Sequence, residues 1–145
     1  MTLDNLVGNT LERINPDPEG IRRLLEAAER NLADARVEAI SQENRFDAAY
    51  KAIMQLANLA LQANGFRTLS SRPGHHMTML QSLPRTIGLE RDRMIVLDTL
   101  RKQRNVSDYA GDPVSERAVH ESIAAAEALH KDVLTWLRNS HPEWI

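Results

Sequence analysis

The stretch Arg45–Gly65, RFDAAYKAIMQLANLALQANG, decides the fold. Phe46, Tyr50, Ile53, Ala57 and Ala60 recur at steps of four and three, which puts them on one face of a helix. Met54, Leu56, Leu59 and Leu61 widen that face until little of the circumference is polar. A helix this apolar belongs at the centre of a core. Ser41 is placed to cap its start, with Asn44 where a capping box carries Glu or Gln. Asn64-Gly65 suits a left-handed stop.

Working outward, the preceding segment carries Ile21, Leu25, Ala28, Leu32, Ala35 and Ala39 at the same alternation. Asp17 reads as its N-cap, with Pro18 at the first helical position. Arg22, Arg23, Glu26, Glu29, Arg30 and Asp34 form its solvated side. Before it, Thr2–Ile14 is weakly amphipathic and ends at Asn15-Pro16. After the central helix, FRTLSSRPG reads as a polar loop. HHMTMLQSLP then reads as a short helix closed by Leu83-Pro84, and RDRMIVLDTLRKQRN as a longer one. The last helix runs from Pro113 to about Asn139, capped by Asp112, with a seam of Val119, Ile123, Ala126, His130, Val133 and Leu137. No run alternates convincingly with period two. The prediction is an all-α protein: an antiparallel up-down bundle of four main helices plus short ones, one domain over residues 1–145.

Composition agrees. The chain has 145 residues, of which 42% are hydrophobic and 4% aromatic, and much of the apolar share is Ala and Leu, both strong helix formers. A net charge of −2 gives no global pull toward nucleic acid or membrane, so any anion site has to be local. The absence of cysteine excludes disulfides, thiol catalysis and thiolate metal sites. No basic leader and no run of roughly 20 apolar residues is present, so we expect a soluble, cytoplasmic protein without membrane contact.

The stretch LRKQRNVSDYAGDP, residues 100–113, carries the candidate site. Leu97, Leu100 and Arg104 share one helix face, so Arg104 points toward the bundle or its edge. A guanidinium near low dielectric needs a partner, and Asp108 is the nearest in sequence. Arg91, Arg93, Arg101 and Lys102 surround it, the densest basic patch in the chain. With a polar turn of Asn105, Ser107 and Tyr109, such a patch can hold a phosphate group. The plain alternatives are a solvated basic face and an arginine that complements the end of its helix.

That stretch, together with GFRTLSSRPGHHMTMLQSLP before it, resembles the HEPN superfamily from about Glu19 to Leu137. The resemblance implies a helical bundle, usually a homodimer, in which the motif arginines of two subunits face a shared cleft. Many members are metal-independent ribonucleases, often the toxin half of a toxin–antitoxin pair. The family motif is an arginine, a polar residue, a few further residues and a histidine. Arg104 and Asn105 match its beginning, and Tyr109 stands where the histidine would be. Histidine exchanges protons near neutral pH, whereas tyrosine, near 10, is a poor base there. It still donates a hydrogen bond to a phosphate.

The other conspicuous pair is His75-His76. Adjacent helical residues point about 100° apart, so the two cannot easily share a metal from a regular helix; they could do so only from a loop, and no third ligand lies nearby in sequence. The plain reading has one packed at a helix start and the other exposed; the functional reading brings one into the cleft as a substitute acid or base. His130 reads as a hydrogen-bonded core histidine. Met54, Met77, Met79 and Met94 read as core fillers. Trp144 packs back onto the bundle or across a dimer interface. No nucleophile elbow, P-loop, dinucleotide fingerprint or HExxH is present.

Three readings follow. In the first, Arg104, Asn105, Tyr109, Arg101 and Asp108 form a site for a phosphate-bearing ligand, RNA or nucleotide, in a homodimer cleft with little or no nuclease activity. In the second, the protein is a metal-independent ribonuclease of toxin type, with His75 or His76 as the acid–base residue. In the third, it is a non-catalytic, antitoxin-like regulatory partner whose Arg104 is shielded and paired with Asp108 or Asp47. A cognate toxin, antitoxin or nucleotidyltransferase is the partner the resemblance implies. No cofactor and no metal are expected.

Overall fold

The structure, a computed structural model, describes residues 2–69, 74–111 and 113–145, without the side chains of 107–110. It is mainly helical, with six α-helices among the described residues: α1 (Pro18–Ala35), α2 (Gln42–Ala63), α3 (His75–Gln81), α4 (Leu83–Thr86), α5 (Arg91–Ala110) and α6 (Glu116–Ser140). The central position read for α2 is the one observed. Twelve of its residues are buried, from Phe46 to Ala63, and it packs along α1 and α6 while also touching α3, α4 and α5.

The caps explain most of the boundaries. Asp17 accepts from the Glu19 amide and Ser41 from the Asn44 amide, each satisfying one of the helix's orphan donors. Gly65, at φ +89°, supplies the left-handed turn after α2. Asn64 has ordinary backbone, and its side-chain amide instead donates to the Ala60 and Thr86 carbonyls.

Several boundaries differ from the sequence reading. The seam of α1 stops at Ala35, where the Arg36 amide turns back onto Ala33 and Asp34; Ala39 lies beyond, exposed. α5 does not end in a turn at Asn105. Nothing between Asn105 and Ala110 breaks a helix, and Gly111, at φ +70°, stops it. α6 starts at Glu116 and not at Pro113, because Ser115 accepts from the Ala118 amide. Asp112, read as the cap, lies outside the described residues. Pro84 opens the turn α4 and does not close a helix, since its missing amide costs nothing in a first turn.

The chain is also not purely helical. Residues Leu11–Arg13 (β1) and Phe66–Thr68 (β2) pair antiparallel, Leu11 opposite Thr68 and Arg13 opposite Phe66. Leu11 and Phe66 face the core. Before β1, Leu3–Leu6 forms a 3₁₀ turn. At the other end Pro142–Trp144 forms a second one that packs on α1 and α6. There the His141 ring stacks on Trp144 at 3.8 Å and meets Trp136 edge-on at 5.6 Å, while Arg22 donates to the Trp144 carbonyl at 2.8 Å.

The seam of α6 holds at Val119, Ala126, Val133 and Leu137 and shifts by one position at the other two residues read. Ser122 and Leu129 are buried beside Val119, Ala126, Val133 and Leu137, while Ile123 is only half-buried. His130 sits at the rim, bound through Nε2 to Glu29 Oε2 of α1 at 2.9 Å, and so is not a core histidine. Met54 and Met79 are buried and Met94 packs against the core, but Met77 is exposed. Among the described residues no helix is long and apolar enough to cross a membrane.

Candidate functional site

α5 brings Arg104 to α2. Leu97 and Leu100 are buried, and the same face carries Arg104 onto Asp47 and Tyr50. Arg104 Nε donates to Asp47 Oδ1 at 3.1 Å, and the guanidinium carbon lies 5.2 Å from the centre of the Tyr50 ring. The arginine side chain is 29% exposed and Asp47 43%, so the pair is shielded on one side and wet on the other. A planar guanidinium suits both contacts, one edge on a carboxylate and one face on a ring.

α3 supplies the second group. His76 Nδ1 is 3.2 Å from the Tyr50 hydroxyl, and the His75 ring stands edge-on to it at 4.8 Å. His75 is exposed and His76 half-buried. Tyr50 is thus the hub, its ring under Arg104 and its hydroxyl on His76. Its buried position on α2 explains both contacts, because a sequestered tyrosine hydroxyl needs a partner.

The surroundings shift both titrations. Burial pushes the Tyr50 hydroxyl up to about 12, against the opposing pull of Arg104 and Arg101. Burial first, then His75, Arg104 and Arg101, hold His76 below its ordinary value. At neutral pH His76 is therefore uncharged and Tyr50 keeps its proton. The Tyr50 contact engages Nδ1, so Nε2 is the ring nitrogen left to meet a ligand.

The basic patch read from the sequence divides. Arg101 Nε donates to Asp98 Oδ1 at 2.7 Å, both side chains mostly buried, and Lys102 lies 3.6 Å from the same carboxylate. Arg93 pairs with Asp132 of α6. At about 1.5 Å per residue, Arg91 and Arg104 are roughly 20 Å apart along α5, too far to form one patch. Asn105 is exposed and helical, not part of a turn. The side chains of Ser107, Asp108 and Tyr109 lie outside the described residues, as do Ser70 and Ser71. Among the described residues no group of three or more His, Asp or Glu could hold a metal ion.

Residues 21–136, which span α1 to the last turns of α6 and contain Asp47, Tyr50, His76 and Arg104, match the family model of the HEPN domain. The chain belongs to the HEPN family. No curated protein matches it. Within this HEPN domain the sequence reading singled out Arg104, Arg101 and the histidine pair but took Tyr50 for a core residue. It named Asp47 only as a rival partner for Arg104. The available signal was the spacing of Asp47 and Tyr50, which puts two polar groups one turn apart on the helix that supplies much of the core.

Proposed function

We propose that this HEPN protein binds a phosphate-bearing ligand, RNA or nucleotide, at the Arg104 corner, with little or no nuclease activity. The carrying observation is the mismatch of charge states there. Arg104 offers a permanent cation, while His76 is neutral and Tyr50 holds its proton well above neutral pH. Metal-free cleavage of RNA needs one group to take a proton and another to give one near the working pH. His76 resists taking up a proton and Tyr50 resists losing its own, so neither readily gives one near neutral pH, which favours binding over cutting. By resemblance, Asn105 and Tyr109 extend the site, with Tyr109 as a hydrogen-bond donor in the motif histidine's place, and Arg101 adds positive potential. We read the four long helices as an antiparallel up-down bundle and residues 1–145 as one domain. It pairs as a cytoplasmic homodimer with the two corners facing, alongside a toxin, antitoxin or nucleotidyltransferase partner.

The ribonuclease reading has an observation in its favour: Tyr50 links His76 to the ring on which Arg104 lies. A binding and a cleavage assay separate the two. Labelled RNA and nucleotide are titrated at several salt concentrations with wild type and Arg104→Ala. Binding predicts that the variant loses affinity and that its slope of log affinity on log salt falls by about 0.7, the loss of one phosphate contact on a single strand. Equal affinities for the two proteins refute the assignment. Robust RNA cleavage lost in both Arg104→Ala and His76→Ala favours the ribonuclease.

A further inference from the structure

Next to the Arg104 corner lies a cleft lined by charges of both signs. The end of α1, the connection over residues 36–41 and the first turns of α2 enclose about 410 Å³. That falls within the roughly 300–1,000 Å³ typical of small-molecule sites. Its two helical walls differ in polarity. On the α1 side stands Asp34, whose carboxylate has no partner among the described residues. Asn31 lies one turn before it. Its Nδ2 donates to Gln55 Oε1 at 2.8 Å, so Oδ1 is the end of that amide still unused. On the α2 side stand the Lys51 ammonium and the Asn44 side-chain amide, also without partners among the described residues. Asp47 shares that wall, but its charge is committed to Arg104 at 3.1 Å. The connection adds Val37 and Ile40, 45% and 39% exposed.

The free acid and the free base decide what fits. Asp34 and Lys51 line one cavity from opposite walls, and no ion pair joins them. A simple anion would meet Lys51 but be opposed by Asp34, and a simple cation would face the reverse. A ligand that carries both charges satisfies both walls. Asp47 does not repel its anionic end, because Arg104 already neutralises that carboxylate. The aliphatic pair selects the remainder: two apolar side chains exposed in one concavity favour an apolar group that covers them.

We propose that the cleft binds a small zwitterion with an aliphatic side chain, an amino acid or short peptide of the leucine type. The ammonium lies on Asp34 and the Asn31 carbonyl oxygen, the carboxylate on Lys51 and the Asn44 amide, and the side chain on Val37 and Ile40. This assignment stands apart from any phosphate at Arg104.

An NMR titration of the full chain with L-leucine, followed at the amides of Val37, Ile40 and Ala48, tests it. Leucine binds, and glycine binds about tenfold more weakly, having no side chain to cover Val37 and Ile40. Leucinamide lacks the carboxylate and N-acetyl-leucine lacks the ammonium; each binds about fivefold more weakly, the scale of a partly exposed ion pair. Variants then assign each charge. Lys51→Met binds leucine and leucinamide alike, Asp34→Asn binds leucine and N-acetyl-leucine alike, and Ile40→Ser loses the preference for leucine over glycine. All three positions are exposed, and circular dichroism checks that the fold is kept. Leucyl-leucine separates the sources: tighter binding than leucine marks a peptide as the ligand, and equal or weaker binding marks the free amino acid. Arg104→Ala binds leucine no more weakly than wild type; a loss there would move the carboxylate to Arg104 and overturn the site. The site is likewise overturned where leucine leaves the three amides unmoved or glycine binds as tightly as leucine. The same holds where neither blocked derivative is weaker, or where Lys51→Met and Asp34→Asn keep the wild-type discrimination.

Discussion

Asp47→Asn keeps the shape of the side chain and removes the charge that Arg104 faces across 3.1 Å. An incoming phosphate has to take the guanidinium from that carboxylate, so the native ion pair opposes binding. Its size follows from its exposure. With side chains 29% and 43% exposed, the pair belongs with partly solvated surface bridges. Those contribute about 0.2–1 kcal/mol, and the upper half of that range suits a guanidinium also held against a ring. Removing about 1 kcal/mol of competition raises affinity about fivefold. The same change lowers the stability of the free protein by no more than that amount. The assay is a titration with labelled RNA or nucleotide at low and moderate salt, wild type against variant. The gain should shrink as salt rises, because both the pair and its competitor are screened. Unchanged or weakened binding in a folded Asp47→Asn protein refutes the competition. It would mean that the carboxylate serves to aim Arg104 and that the ligand does not displace it.

An NMR titration should find His76 below its ordinary value, and in Arg104→Ala its midpoint should move up toward 6.5 without reaching it, because burial remains the larger cause; an unmoved midpoint contradicts the proximity. Because the folded protein resists protonating His76, the unfolded chain binds more protons just below pH 6.5, and stability falls as pH drops through that window. Tyr50 acts at the other end of the scale: the folded state keeps a proton that the unfolded chain loses near 10, so stability declines as pH rises from about 10 toward 12. Tyr50→Phe should remove that decline in a chemical-denaturation series. Leu56→Ala, at a fully buried position on α2, costs about 2–5 kcal/mol by the same denaturation measurement.

The helices were legible because their signals are local. The stripe of α2, the Asp17 and Ser41 caps and Gly65 lie within a few residues of what they control. The two strands escaped because three residues are too few to display alternation against their flanks. The end of α5 was misplaced because polar residues such as Asn105 were weighted as turn formers, although no residue before Gly111 obliges the helix to stop. The site was half legible. An arginine on an apolar stripe announces itself, but what it meets does not. Asp47 is 57 residues away from Arg104, and Tyr50 is 26 from His76. Those pairs exist only through the packing of α2, α3 and α5, and short-range periodicity carries no information about them.

The aromatic stack at the C-terminus has a practical consequence. Trp136 and Trp144 are the only tryptophans in the chain, and both lie against the same imidazole. Intrinsic emission, ordinarily used to follow unfolding, will therefore watch one small region. Detachment of the last few residues would register optically while the helical core stayed intact. Melting curves followed by light should accordingly be paired with a backbone signal before any midpoint is assigned to the whole molecule.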